Sequence, residues 1–136
     1  YKAADNGVKI KMIIRGICCL IPTHHKNIKV ISIIDRFLEH TRIFIFNNNK
    51  KNETYISSAD WMTRNLDNRV EVTCPIHDSK IKKEINDIFN IYWSDNVKSR
   101  LINQKDANVY KSDIKKSNSL RSQLEIYNYY KSKIEN

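Results

Sequence analysis

Through position 76 the apolar residues either alternate with polar ones or gather in short runs, which is the period of strands. Val8, Ile10, Met12, Ile13 and Ile14, with Lys9 and Lys11 between them, predict a first strand that becomes buried toward its C-terminal end, where Arg15 and Gly16 stop it. Ile28 to Ile34 predicts a second strand, Thr41 to Asn47 a third and Glu53 to Ser58 a fourth. The asparagine- and lysine-rich segment 47–52 reads as the hairpin turn joining the last two. Arg69 to Ile76, closed by Pro75, predicts a fifth strand. Between these, 17–27 reads as a loop around Pro22. Asp35 to His40 reads as a helical turn with Phe37 and Leu38 packed inward, and Ala59 to Asn68 as a loop or helical turn carrying Trp61 and Met62.

The period then changes. Ile81, Ile85, Ile88, Phe89 and Tyr92 share one face of a helix starting near Asp78, with Asp78 or Ser79 as its cap. Positions 94–118 are polar and poorly periodic, with a short helix possible near Asn96 to Ile102. Ser119 is the expected cap of a last helix with Leu120, Leu124, Tyr127, Tyr130 and Ile134 as its apolar stripe. At the other end, Tyr1 to Gly7 reads as the end of a helix with a glycine C-cap, as expected of a piece of a longer protein. The expectation is one domain over 1–136, mainly strands with site loops through 76 and mainly helical after it.

Charge narrows the partners. The 136 residues carry a formal net charge of +9, from 24 Lys and Arg against 15 Asp and Glu, which favours anionic partners. A solvated lysine-rich surface is the plainer account of the excess as a whole; it is weaker for arginines beside strand ends. Cys18, Cys19 and Cys74 form no framework and no C-x-x-C pair, so free thiols in a reducing compartment are expected. No run of eighteen apolar residues and no signal-peptide pattern is read. The adjacent His24 and His25 diverge in most backbones and make a poor metal pair.

The chemistry concentrates between Arg36 and Arg69. His40 and Arg42, spaced as on one face of a strand, bring together an imidazole that can shuttle a proton or attack phosphorus and a guanidinium that can grip phosphoryl oxygens as a fork. Ser58 and Asp60 close the neighbouring strand, and Arg64 and Arg69 flank the next turn. Ser58 offers a hydroxyl to phosphate; Asp60 can orient a histidine or hold an arginine, or simply cap the turn after it. His40 as an ordinary structural histidine, and Arg15 as half of an ion pair, remain open. The chain's two glycines, Gly7 and Gly16, do not form a Walker loop, so phosphate would be gripped by side chains.

Four segments carry a family likeness: GVKIKMIIRGICCLIP at 7–22, RFLEHTRIFIF at 36–46, YISSADWMTRNLDNRVEV at 55–72 and SQLEIYNYYKS at 122–132. Through them nearly the whole chain resembles the C-terminal part of bacterial polyphosphate kinases of the phosphohistidine-using type. The resemblance implies an α/β, phospholipase D-like domain, the second of two, with a mixed central sheet flanked by helices and C-terminal helices. It implies reversible transfer of the terminal phosphate of ATP to polyphosphate, releasing ADP. His40 matches the family's second active-site histidine, Arg15 an ATP-binding arginine and Arg69 a further phosphate-contacting arginine; Arg42, Ser58 and Asp60 join them as candidate phosphate-site residues. The phospholipase pattern is degenerate here. Arg42 replaces its lysine, Asn47 its aspartate, and Ser57-Ser58-Ala59-Asp60 its Gly-Ser-x-Asn.

The phosphorylated histidine and most Mg²⁺ contacts are implied to lie in preceding domains of the same enzyme, a cytoplasmic homo-oligomer without nucleic acid and with at most peripheral membrane association. The 136 residues alone are expected to be inactive. The competing readings are a basic polyanion- or nucleic-acid-binding module and a phosphodiesterase using His40 as nucleophile.

Overall fold

A computed structural model describes residues 1–102, 109–111 and 119–135. Its chain order is α1 (Lys2–Asp5), β1 (Ile10–Ile13), β2 (Ile28–Ile33), β3 (Ile43–Phe46), β4 (Glu53–Ser57), α2 (Thr63–Leu66), β5 (Thr73–Ile76), α3 (Ser79–Ser94), β6 (Ser99–Leu101), β7 (Val109–Tyr110) and α4 (Ser122–Ile134). Among the described residues the strands form two sheets, ordered β1-β2-β6-β7 and β3-β4-β5, so the mixed α/β class is as expected. The chain divides into two compact units, one of residues 1–39 and 90–136, the other of residues 40–89.

In the first unit, β1 and β2 are parallel, pairing Ile10 with Ile28 and Ile13 with Ile31. β6 joins β2 antiparallel, placing Arg100 opposite Ser32. β2 is buried at every position but Lys29, as its near-continuous apolar run requires. Ala4 of α1 packs on Ile28 and Val30, with Ile10, Met12 and Leu20 around them. Gly7 ends this helical turn at φ 87°, a conformation open to glycine because it has no Cβ.

The second unit is an antiparallel meander. β4 pairs with β3 on one side and β5 on the other. Its hairpin turn holds Asn48, Asn49 and Lys50 at positive φ, a region that asparagine tolerates better than most residues. Asp78 starts α3 by accepting the N–H groups of Lys80 and Ile81 at 2.8 and 2.9 Å.

Five expectations need correction. Segment 35–40 is not a helical turn, and Phe37 and Leu38 are exposed. Its backbone bonds go elsewhere: the Gln123 side chain accepts from Phe37 N–H at 3.1 Å and donates to Phe37 C=O at 2.8 Å. The fifth strand begins at Thr73, not Arg69, and Val70 is fully exposed. The segment 96–102 contains strand β6, not a helix; pairing with β2 overrides its local preference. The last helix begins at Ser122 with Arg121 at its N-cap, so Ser119 caps nothing. Its supposed core stripe is exposed at Leu124, Tyr127, Tyr130 and Ile134. Residues 103–108 and 112–118, read from sequence as polar and poorly periodic, lie outside the described residues.

Candidate functional site

Register brings five of the six sequence candidates to one end of the meander. β3 begins there, β4 ends there and β5 begins there, since Ile43 pairs with Ile56 and Ser57 with Thr73. His40 and Arg42 lie just before β3, Ser58 and Asp60 just after β4, and Arg69 on the segment leading to β5. All five belong to the second unit; Arg15 belongs to the first.

Arg42 is the organising group. Its Nε donates to Asp60 Oδ1 at 2.9 Å and its Nη2 to Oδ2 at 3.3 Å, a two-pronged pairing. Asp60 thereby holds the guanidinium above its usual pKa. The third nitrogen, Nη1, lies 3.2 Å from Nδ1 and 3.3 Å from Nε2 of His40 and also donates to the His40 carbonyl at 3.3 Å. A guanidinium can only donate, so the tautomer of His40 decides which ring nitrogen can accept from it. Asp60 is thus an arginine holder, and the cap position of α2 belongs to Met62. The expected same-side placement of His40 and Arg42 is realised in the extended lead-in to β3, not within it.

Ser58 is occupied locally. Its hydroxyl donates to Glu71 and accepts the Val72 N–H at 3.0 Å, and its own N–H donates to the Val72 carbonyl. These bonds tie the end of β4 to the approach to β5. Arg69 is exposed and makes no ion pair or hydrogen bond among the described residues. Phe44 and Trp61 stack with ring centroids 5.1 Å apart.

Arg15 follows β1 at the C-terminal end of the parallel pair, the edge where open α/β sheets bind ligands. Its Nη1 donates to the Glu39 carbonyl. Glu39 is itself held, its carboxylate accepting from Tyr92 Oη and Gln123 Nε2, both at 2.6 Å. Arg15 lines a cavity of about 500 Å³ that Arg100 also lines. Sequence reading passed over Arg100, which lay inside the expected helix; only its pairing with Ser32 brings it to this edge.

His25 is a structural residue, with Nδ1 2.9 Å from Asp5 Oδ1 and its ring stacked on Tyr1. Among the described residues no three His, Cys, Asp or Glu side chains gather as a metal site, so the Mg²⁺ implied by the family likeness has no such cluster here. Among the same residues no helix is long and apolar enough to cross a membrane.

Residues 1–123 match the family described as polyphosphate kinase C-terminal domain 2. A polyphosphate kinase of Vibrio parahaemolyticus is 50% identical over 136 residues, covering 96% of this chain and 19% of that protein. One of Escherichia coli K12 is 44% identical over 137 residues, covering 97% of this chain and 20% of that protein. The crystal structure of polyphosphate kinase from Porphyromonas gingivalis matches with a TM-score of 0.93 at 45% identity, over 98% of this chain and 21% of that one. The chain therefore spans about a fifth of the length of these relatives.

Proposed function

The chain belongs to the polyphosphate kinase family, as its C-terminal domain 2, and from that membership we propose that it supplies phosphate-handling residues for reversible transfer of the terminal phosphate of ATP to polyphosphate. The observation that carries this reading is the Asp60–Arg42–His40 arrangement at one end of the meander. Phosphoryl transfer asks a protein mainly for positioned positive charge and hydrogen-bond donors around phosphate oxygens. Two nitrogens of Arg42 are committed to Asp60, and the third meets the His40 ring. Arg42 therefore acts as a positioning residue, fixing an imidazole that is otherwise exposed.

In this reading His40 contacts the transferred phosphate and can hold or move a proton there. Arg69, with no carboxylate partner among the described residues, and Arg15 neutralise phosphate oxygens. Ser58 and Asp60 act indirectly, one shaping the loop and the other holding Arg42. Mg²⁺, when it arrives with the nucleotide, would screen phosphate charge. ATP, ADP and polyphosphate are the small partners; the remaining domains of a cytoplasmic enzyme, in a homo-oligomer, are the macromolecular ones.

The test is His40→Ala in the intact enzyme. Synthesis of polyphosphate from ATP should fall by at least about a hundredfold, the scale of a lost proton-transfer group, with polyphosphate binding retained. Unchanged synthesis would remove His40 from the mechanism. Equal loss of synthesis and of polymer binding would favour a simple polyanion-binding module. The 136-residue chain alone should turn over no ATP, and measurable turnover would overturn this division of roles.

A further inference from the structure

Arg15 shares its cavity with a second guanidinium. Arg100 and Ser32 stand in the same wall, and isoleucines 17, 34 and 102 supply its apolar part. Antiparallel pairing of β6 with β2 sets Arg100 directly opposite Ser32. Cross-strand partners project from the same side of a sheet, so the position of Arg100 at the cavity follows from register.

Two guanidinium groups lining one cavity concentrate positive charge there. A carboxylate paired with Arg100 would offset its charge, yet Arg100 forms no ion pair among the described residues. What it has is Tyr110: Nη2 donates to the phenol oxygen at 2.8 Å, and the guanidinium carbon lies 4.6 Å from the ring centroid. That contact orients the guanidinium without neutralising it. Its buried Nε–H has no hydrogen-bond partner among the described residues.

We propose that Arg100 and Arg15 jointly hold one oligophosphate anion in this cavity, with Arg100 oriented by Tyr110. The proposal rests on the assignment of Arg15 to phosphate made above and adds a residue that the family likeness did not supply. The shared ligand chemistry is a short run of phosphates, which could be the tail of a nucleotide or part of an inorganic chain.

Calorimetric titration of the 136-residue chain with inorganic tripolyphosphate, and separately with ATP, tests it. Arg100→Gln and Arg15→Gln should each weaken tripolyphosphate binding roughly tenfold or more, the scale of a hydrogen bond to a charged group. The double variant should lose less than the product of the two, because both side chains meet one anion. Tyr110→Phe should weaken binding about threefold by freeing the guanidinium. Lys50→Gln, in the hairpin turn of the other unit, controls for general charge and should change nothing.

The proposal is overturned if the wild-type chain shows no saturable binding, if Arg100→Gln binds as wild type, or if Lys50→Gln loses as much as Arg100→Gln. A loss with Arg15→Gln alone removes Arg100 and leaves the phosphate role of Arg15 standing. Binding that survives both variants removes Arg15 from that role as well. Equal losses for both ligands support a common oligophosphate subsite; a loss confined to ATP or to tripolyphosphate identifies the source and supports the site. Should circular dichroism show Arg100→Gln unfolded, Arg100→Lys decides. It keeps the charge but not the fork, so partial loss supports the proposal and wild-type affinity for both ligands overturns it.

Discussion

The two sheets solve the burial problem differently. In the four-stranded sheet, Ile31 and Ile33 of β2 are 2% and 1% exposed, and the loop after β2 is bonded to the last helix. In the meander, Ile43, Phe44 and Ile45 are only half-buried, and Phe46 and Ile56 are exposed. A strand flanked by neighbours and covered on both faces becomes a core; a short antiparallel meander can leave a face open. The open meander carries a pre-set polar group, Arg42 on Asp60, at its rim. The covered sheet places its guanidinium groups at the mouth of a cavity instead. Burial is thus distributed unequally, and the first unit should be the more sensitive to loss of packing.

The largest effect should come from Ile33→Ala, which opens a cavity in β2 and should cost about 4 kcal/mol, against about 1 kcal/mol for Ile45→Ala in β3. Urea denaturation of both variants measures the contrast. Equal losses would break the distinction between a covered and an open sheet.

Next in size is Asp95→Ala. Asp95 is fully buried, and its Oδ1 accepts the N–H groups of Val97, Lys98 and Ser99 at 3.0, 2.7 and 3.0 Å. Its Oδ2 accepts Ser122 N–H at 2.7 Å, so one carboxylate closes the turn into β6 and caps α4. The substitution strands these donors and should cost about 3 kcal/mol by thermal or urea unfolding. Asp95→Asn, which keeps one acceptor, should cost less.

A smaller effect is expected in acid. Burial pushes the Asp95 carboxyl up, but the N–H groups of Ser122, Lys98 and Ser99 outweigh it and hold the pKa below the usual 3.8. Arg121 likewise holds Asp35 below 3.8, in a pairing at 2.6 and 2.8 Å. A carboxyl with a lowered folded pKa stabilises fully above its unfolded value and loses that contribution as pH falls through the folded one. The urea midpoint should therefore hold above about pH 5 and decline below about pH 4, and Asp35→Asn should flatten the decline. An unchanged slope in that variant would remove Asp35 as a source of the acid sensitivity and leave Asp95.

Much of this was legible in the sequence because it is local. Ile28 to Ile33 is apolar at four of six positions, broken only by Lys29 and the small Ser32, which suits a buried strand. Asp78 sits two and three residues before the N–H groups that it accepts. His40 and Arg42 are close enough in sequence that an extended backbone brings their side chains together. The misread segments have distant partners. Phe37 and Leu38 look like a helical turn until Gln123 takes the Phe37 backbone. The Asn96 to Ile102 stretch looks helical until β2 offers its edge. Ser119 looks like a cap, but the group that caps α4 is Asp95, on another turn.

Period and spacing alone determined the first four strands, the long helix after Asp78, the polar hairpin and the His40–Arg42 pair, since each depends on residues within a few positions of one another. Tertiary structure decided which strands share a sheet, that Asp60 grips Arg42, that Ser58 is already bonded to its neighbours and that Arg100 meets Arg15 at one cavity. Those outcomes depend on register between segments far apart in the chain. A one-residue shift in strand pairing would turn each side chain to the other face, and short-range spacing carries no information about that choice.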